Sequence, residues 1–118
     1  MTRNRRSAKA AGARFERQVA DYLNEVVSEW IDRRPKTGAK DRGDLANVRL
    51  AGHKVVVECK DVTRLNLPKW TAEAHTEAEN DDALIGVVIH KRHGNADPAD
   101  QWVTMTLADL AIILNTTK

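Results

Sequence analysis

Three consecutive valines, Val55, Val56 and Val57, run straight into Glu58, Cys59 and Lys60. A run of β-branched residues favours an extended strand over a helix. Side chains alternate across a strand, so Glu58 and Lys60 share one face and Cys59 takes the other. A buried strand gains nothing by ending in a carboxylate and an ammonium, because unpaired charges are costly to desolvate. This segment therefore places a strand in the core and puts two charges at its end.

A second acid lies upstream. Gly43-Asp44 precedes Glu58, with 13 residues between the two acids. Leu50-Ala51-Gly52 separates the segments 43–49 and 53–60, and a three-residue loop with a left-handed glycine is a common hairpin connection. In that register Asp44 lies opposite Glu58, with Cβ atoms about 5 Å apart. A two-residue Ala51-Gly52 turn places Asp44 opposite Cys59 instead. A shared site for the two acids thus calls for the longer loop, or for a compensating bulge near Asp44. Two acids that hold a hard cation, beside a lysine, suit metal-dependent phosphodiester hydrolysis. Asp44 and Glu58, with the Cys59 backbone carbonyl, are the candidate ligands for Mg2+ or Mn2+. Lys60 would orient or deprotonate the attacking water, or offset charge growing on the phosphate.

The surrounding pattern is α, β, β, β, α, β, β, α. A helix is expected from about Ala8 or Ala13 to Trp30, with Phe15, Val19, Tyr22, Leu23, Val26 and Trp30 on one stripe. Glu16 sits at the edge of that stripe, where a carboxylate can reach the sheet as an outer or second-metal ligand. Read alone, it is an exposed residue pairing with an arginine. Ile31–Arg34 is a short strand. Pro68 suits the first turn of a second helix, which carries Trp70, Ala74 and Ala78 and ends near Asn80. Residues 83–90 read as a buried strand in which Gly86 allows a helix to approach closely. Residues 102–105 form a last strand. Thr106 caps a final helix with Leu107, Leu110, Ile113 and Leu114 facing the core. The order implies an α/β fold, a mixed central β-sheet flanked by α-helices.

Charge is unevenly spread. The net charge of the 118 residues is +2. Residues 1–42 carry 11 Lys and Arg against 6 Asp and Glu, whereas residues 71–82 carry five acids and no base. Residues 1–11 are expected as a flexible basic arm whose Arg3, Arg5, Arg6 and Lys9 contact phosphate, ahead of a single domain over 12–118. Arg42 and Arg64, which flank the two acidic segments, are further phosphate contacts. The acidic stretch reads as a solvated helix face.

Several function classes drop out. A single cysteine forms no internal disulfide and fits a reducing cytoplasm. Cys59 reads as a core residue rather than a nucleophile. His90 and His93 lack the further ligands a zinc site needs. No stretch is long and apolar enough for a membrane span. Five aromatics offer little for base stacking, and Trp70 and Trp102 are expected in the core. Neither a Walker A sequence nor Gly-x-Ser-x-Gly is present.

Taken together, Gly12 with Arg14-Phe15-Glu16, Asp41-Arg42-Gly43-Asp44-Leu45, and Val55 to Lys60 resemble the PD-(D/E)xK nuclease superfamily. The similarity is closest to small Holliday-junction resolvases of archaeal and phage type, and it spans about residues 12–90. It implies a restriction-endonuclease-like core, a site of Glu16, Asp44, Glu58 and Lys60, and a divalent metal. It also implies a homodimer acting on four-way or other branched DNA, in the cytoplasm of a bacterial or phage-infected cell. Gly43 stands where the strict motif has proline. The motif is shared by nucleases of flaps, ends and duplex, so these remain alternatives, with a non-catalytic DNA-binding protein behind them.

Overall fold

The computed structural model describes residues 4–36 and 40–118. Its elements are α1 (Arg5–Val26), β1 (Asp32–Arg33), β2 (Leu45–Ala46), β3 (Arg49–Leu50), β4 (His53–Lys60), α2 (Leu67–Asn80), β5 (Ile85–His90), β6 (Trp102–Thr104) and α3 (Leu107–Thr116). The main sheet runs β3-β4-β5-β6, and β1 and β2 form a separate antiparallel pair. β4 and β5 are parallel, with Glu58 beside Val88 and Lys60 beside His90, while the outer pairings are antiparallel. The fold is therefore α/β with a mixed sheet, compatible with a restriction-endonuclease-like core.

Strand alternation decides which layer each helix covers. Val57, Cys59, Ile85 and Val87 point to one face, where they bury Phe15, Val19 and Ala20 of α1 and are joined by Ile112 and Ile113 of α3. Phe15 is 2 % exposed, and burying a side chain of that size contributes about 1.5–3 kcal/mol. Val88 points to the other face and packs on Trp70 and Ala74 of α2. Gly86 lies on that face too. A Cβ there would stand 2.3 Å from the Ala74 carbonyl oxygen, so only glycine lets α2 rest directly on the strand, as its position in an apolar run implies.

Several expectations are corrected. α1 starts earlier than the expected Ala8 or Ala13. α1 begins at Arg5, where the Asn4 side chain accepts the Ser7 N–H at 2.8 Å, and Ala8, Ala10, Ala11 and Ala13 favour helix. Arg3 lies outside the described residues. The helix ends before Trp30 because the N–H groups of Val27 and Ser28 both return to the Leu23 carbonyl, and Trp30 is exposed. On α3, Leu107, Leu110 and Leu114 are exposed rather than buried. Ile112 and Ile113 supply its core contacts, and the expected Thr106 cap is present. Trp102, also expected inside, is exposed beneath the Arg92 guanidinium, 4.7 Å from the ring centre.

The hairpin differs as well. Leu50 pairs with His53 and Arg49 with Lys54, so the turn has two residues, Ala51 and Gly52, both with positive φ. That turn geometry matches the strand twist. The register then shifts at Asn47, whose φ is +67. Val48 still accepts the Val55 N–H, but Asp44 already donates to the Val57 carbonyl. Two extra residues thus lie on the Asp44 side, so Asp44 comes level with Val57 rather than opposite Glu58 as the three-residue loop would have placed it.

Candidate active site

Asp44 is held from three directions. Its N–H donates to the Val57 carbonyl at 2.9 Å, and its carbonyl accepts the Arg34 N–H at 2.8 Å. Its Oδ2 accepts the Cys59 N–H at 2.7 Å. The N–H and C=O of one strand residue point to the same edge, so the Cys59 carbonyl also lies on the Asp44 side. Gly43, immediately before, has φ +93, and a Cβ there would meet Val56 Cγ1 at 2.9 Å. Proline fixes φ near −65°, so proline does not fit this approach to the acid.

Glu58 and Lys60 lie on one face, with Lys60 Nζ 3.6 Å from Glu58 Oε1. That face looks toward α2. There Lys60 Nζ donates to Glu73 Oε2 at 3.0 Å, and Glu77 stands beside Glu58. Glu58 and Glu77 are both buried, and among the described residues no donor group of another residue reaches the Oε2 of either, although the two carboxyls hydrogen-bond to each other. Burial first, then the Asp44 charge, pushes Glu58 up to about 7 against the pull of Glu77 and Lys60. Burial and the hydrogen bond to Glu58 push Glu77 up to about 10. Burial pulls the Lys60 pKa down, but Glu73 and Glu58 outweigh it and leave it above the ordinary lysine value. Lys60 is therefore an ammonium at neutral pH. Cys59 lies on the opposite face in the core, and burial followed by the nearby carboxylates holds its thiol protonated.

Glu16 reaches the same region from α1. It accepts from Arg33 at 3.3 Å, but its side chain is 13 % exposed and not the solvated group of the plain arginine-pairing reading. Lys36 links it to Asp44, with Nζ 2.5 Å from Asp44 Oδ1 and 4.0 Å from Glu16 Oε2. Burial raises the Glu16 pKa, and the Asp44 charge adds to this. The structure thus brings Glu16, Asp44, Glu58 and Lys60 to one end of β4. Arg42 and Arg64 are exposed. Arg42 lines a concave surface with Arg34, Arg49, Lys54 and Asp81. Arg5, Arg6 and Lys9 are exposed on α1, about 10–16 Å along the helix from Glu16 at 1.5 Å per residue.

Four residues escaped the sequence reading: Lys36, Asp41, Glu73 and Glu77. The acidic stretch is not a solvated face, since Glu77 and Asp81 are buried and Asp81 pairs with Arg34 and Lys54. Its signal was available: residues 70, 73, 74, 77, 78 and 81 follow one helical stripe, so Glu73 and Glu77 interleave with Trp70, Ala74 and Ala78. Lys36 and Asp41 lie in a loop and carry no such signal.

The donors near the end of β4 are hard carboxylate oxygens, one of them a buried oxygen of Glu58 that no donor from outside the Glu58–Glu77 pair reaches among the described residues. Such a set fits a divalent cation. The mixed sheet between helices is compatible with a restriction-endonuclease-like core. The chain belongs to the family described as phage putative PDDEXK endonuclease, whose family model matches residues 7–117. No curated protein and no solved structure matches it. Among the described residues no helix is long and apolar enough to cross a membrane.

Proposed function

We propose that this protein is a divalent-metal-dependent DNA endonuclease that cuts branched DNA, with the four-way junction as its preferred substrate. The observation that carries the catalytic reading is the convergence at one strand end of Asp44, held by the Cys59 N–H, with Glu58 and Lys60. Asp44, Glu58 and the Cys59 carbonyl would hold Mg2+ or Mn2+, with Glu16 as an outer ligand. Bound there, the ion supplies Lewis-acid charge and acidifies water. Lys60, kept protonated by Glu73, offsets charge developing on the phosphate rather than accepting a proton. In the protein alone, Lys36 balances the charge of Glu16 and Asp44.

Support for a branched substrate is electrostatic. Exposed Arg5, Arg6 and Lys9 on α1, with Arg42 and Arg64, offer phosphate contacts that read shape rather than sequence. A two-fold junction calls for two symmetric sites, and the exposed apolar residues of α3 offer a surface for a homodimer. The setting is the cytoplasm of a phage-infected bacterial cell. Cleavage of an end-labelled four-way junction beside a linear duplex of the same arms, with Mg2+, tests the reading. Paired nicks near the crossover by wild type and none by Asp44→Asn support it. Equal cutting of both substrates retains the nuclease and discards the junction preference, which leaves flaps, ends or duplex as substrate.

A further inference from the structure

We infer that Asp41, Glu58 and Glu77 form a second divalent-cation site on the α2 side of β4, sharing Glu58 with the Asp44 site. One carboxylate oxygen from each of the three lies within 4.8 Å of the others. Glu58 is 7 % exposed and Glu77 5 %, and among the described residues no donor from a third residue reaches the buried Oε2 atom of either. A buried carboxylate oxygen without a donor is costly, and here two occur side by side. Among the described residues no Lys or Arg pairs with Glu77. The nearest base to Glu58, Lys60, is engaged by Glu73 at 3.0 Å.

Asp41 is set in place for this role. Its Oδ1 accepts the Gly43 N–H at 2.9 Å, and its carbonyl accepts Asn80 Nδ2 at 2.9 Å, which ties the loop to the end of α2. Being exposed, it leaves the solvent side of the site open to the waters that a small hard cation retains. An all-oxygen set selects Mg2+, Mn2+ or Ca2+ over softer metals. A proton shared between Glu58 and Glu77 would satisfy that pair, but it gives Asp41 no part and is the rival outcome. The inference rests on the proposed function only through Glu58, and its readout is a metal count rather than cleavage.

The test is titration of the full chain with Mn2+ at pH 7.5, with free ion followed by electron paramagnetic resonance. Wild type should bind two ions. Glu77→Gln should bind one, or bind the second at least tenfold more weakly, and Asp44→Asn should lose the other. Asp41→Asn changes an exposed side chain, keeps the acceptor for Gly43, and should match Glu77→Gln. It therefore guards against a folding defect in the buried variant, which thermal melting in EDTA also checks. A single ion in wild type, or an isotherm unchanged by both Glu77→Gln and Asp41→Asn, overturns the site and leaves a shared proton. Loss of junction cutting with the two-ion count intact would count against the proposed function alone.

Discussion

The Asp44 carboxylate accepts the backbone N–H of Cys59 at 2.7 Å, so the upstream acid is fastened to the strand that carries Glu58 and Lys60. This contact exists because the chain gains two residues at Asn47, between the hairpin turn and Asp44. The acid is thereby drawn to the edge of β4 and not to the face that looks at α2. Glu58 can then meet Asp44 on one side and Glu77 on the other.

Gly43→Ala should destabilise the protein by about 1–3 kcal/mol, the usual cost of a side chain in a disfavoured backbone region. The positive φ and the 2.9 Å approach to Val56 both oppose it. Urea denaturation measures the loss, and a midpoint equal to wild type would show that the Gly43 backbone is not so constrained.

Replacing Lys60 with glutamine should lower the cleavage rate on the order of 10²–10³-fold, the range for losing one group aimed at developing charge. DNA binding and melting should stay close to wild type, because Lys60 is one partly buried cation among many. A rate within tenfold of wild type would remove Lys60 from the chemistry.

In EDTA, stability should fall as pH rises from about 4.5 toward 7 and beyond. Glu58 and Glu77 titrate near 7 and 10 in the folded chain, against an ordinary value of 4.5. Across that window the native state keeps protons that the unfolded chain releases, so unfolding gains on folding with each step upward. The contribution is complete below 4.5 and is lost through the folded values. Urea midpoints at pH 5, 6, 7 and 8 should decline more steeply for wild type than for Glu77→Gln. Parallel curves would contradict the raised values.

Leu110→Glu combined with Leu114→Glu should convert a dimer to a monomer in light scattering. These residues are 40 % and 58 % exposed on α3, beside Leu107 at 80 %, and charge on such a face opposes association. Monomeric wild type at the same concentration would refute the dimer.

Much of this architecture was legible in the sequence. Val55–Val57 places the central strand, alternation puts Glu58 and Lys60 together, and Pro68 and Thr106 mark the starts of two helices. The two-residue turn was not legible, because it needs Ala51 in a left-handed conformation that alanine rarely adopts. Helical periodicity located stripes on α1 and α3, but it does not say whether a stripe is covered by the same chain. Val26, Leu107 and Leu114 are the result. On α2 charge does not mean solvent: Glu77 and Asp81 follow the buried stripe. Lys36 and Asp41, loop residues placed by contacts with other elements, are hidden from any single-segment pattern.

The contact between Gly86 and Ala74 has a mechanical meaning. Side-chain packing between layers can yield by rotamer changes, but a strand meeting a helix carbonyl backbone-to-backbone is a hard stop. Glu73 and Glu77 hang from the helix on either side of that stop, so their distance from Lys60 and Glu58 is gauged by the absence of a single methyl group. A methyl group at position 86 would act as a shim, opening the gap between the acids while touching none of them.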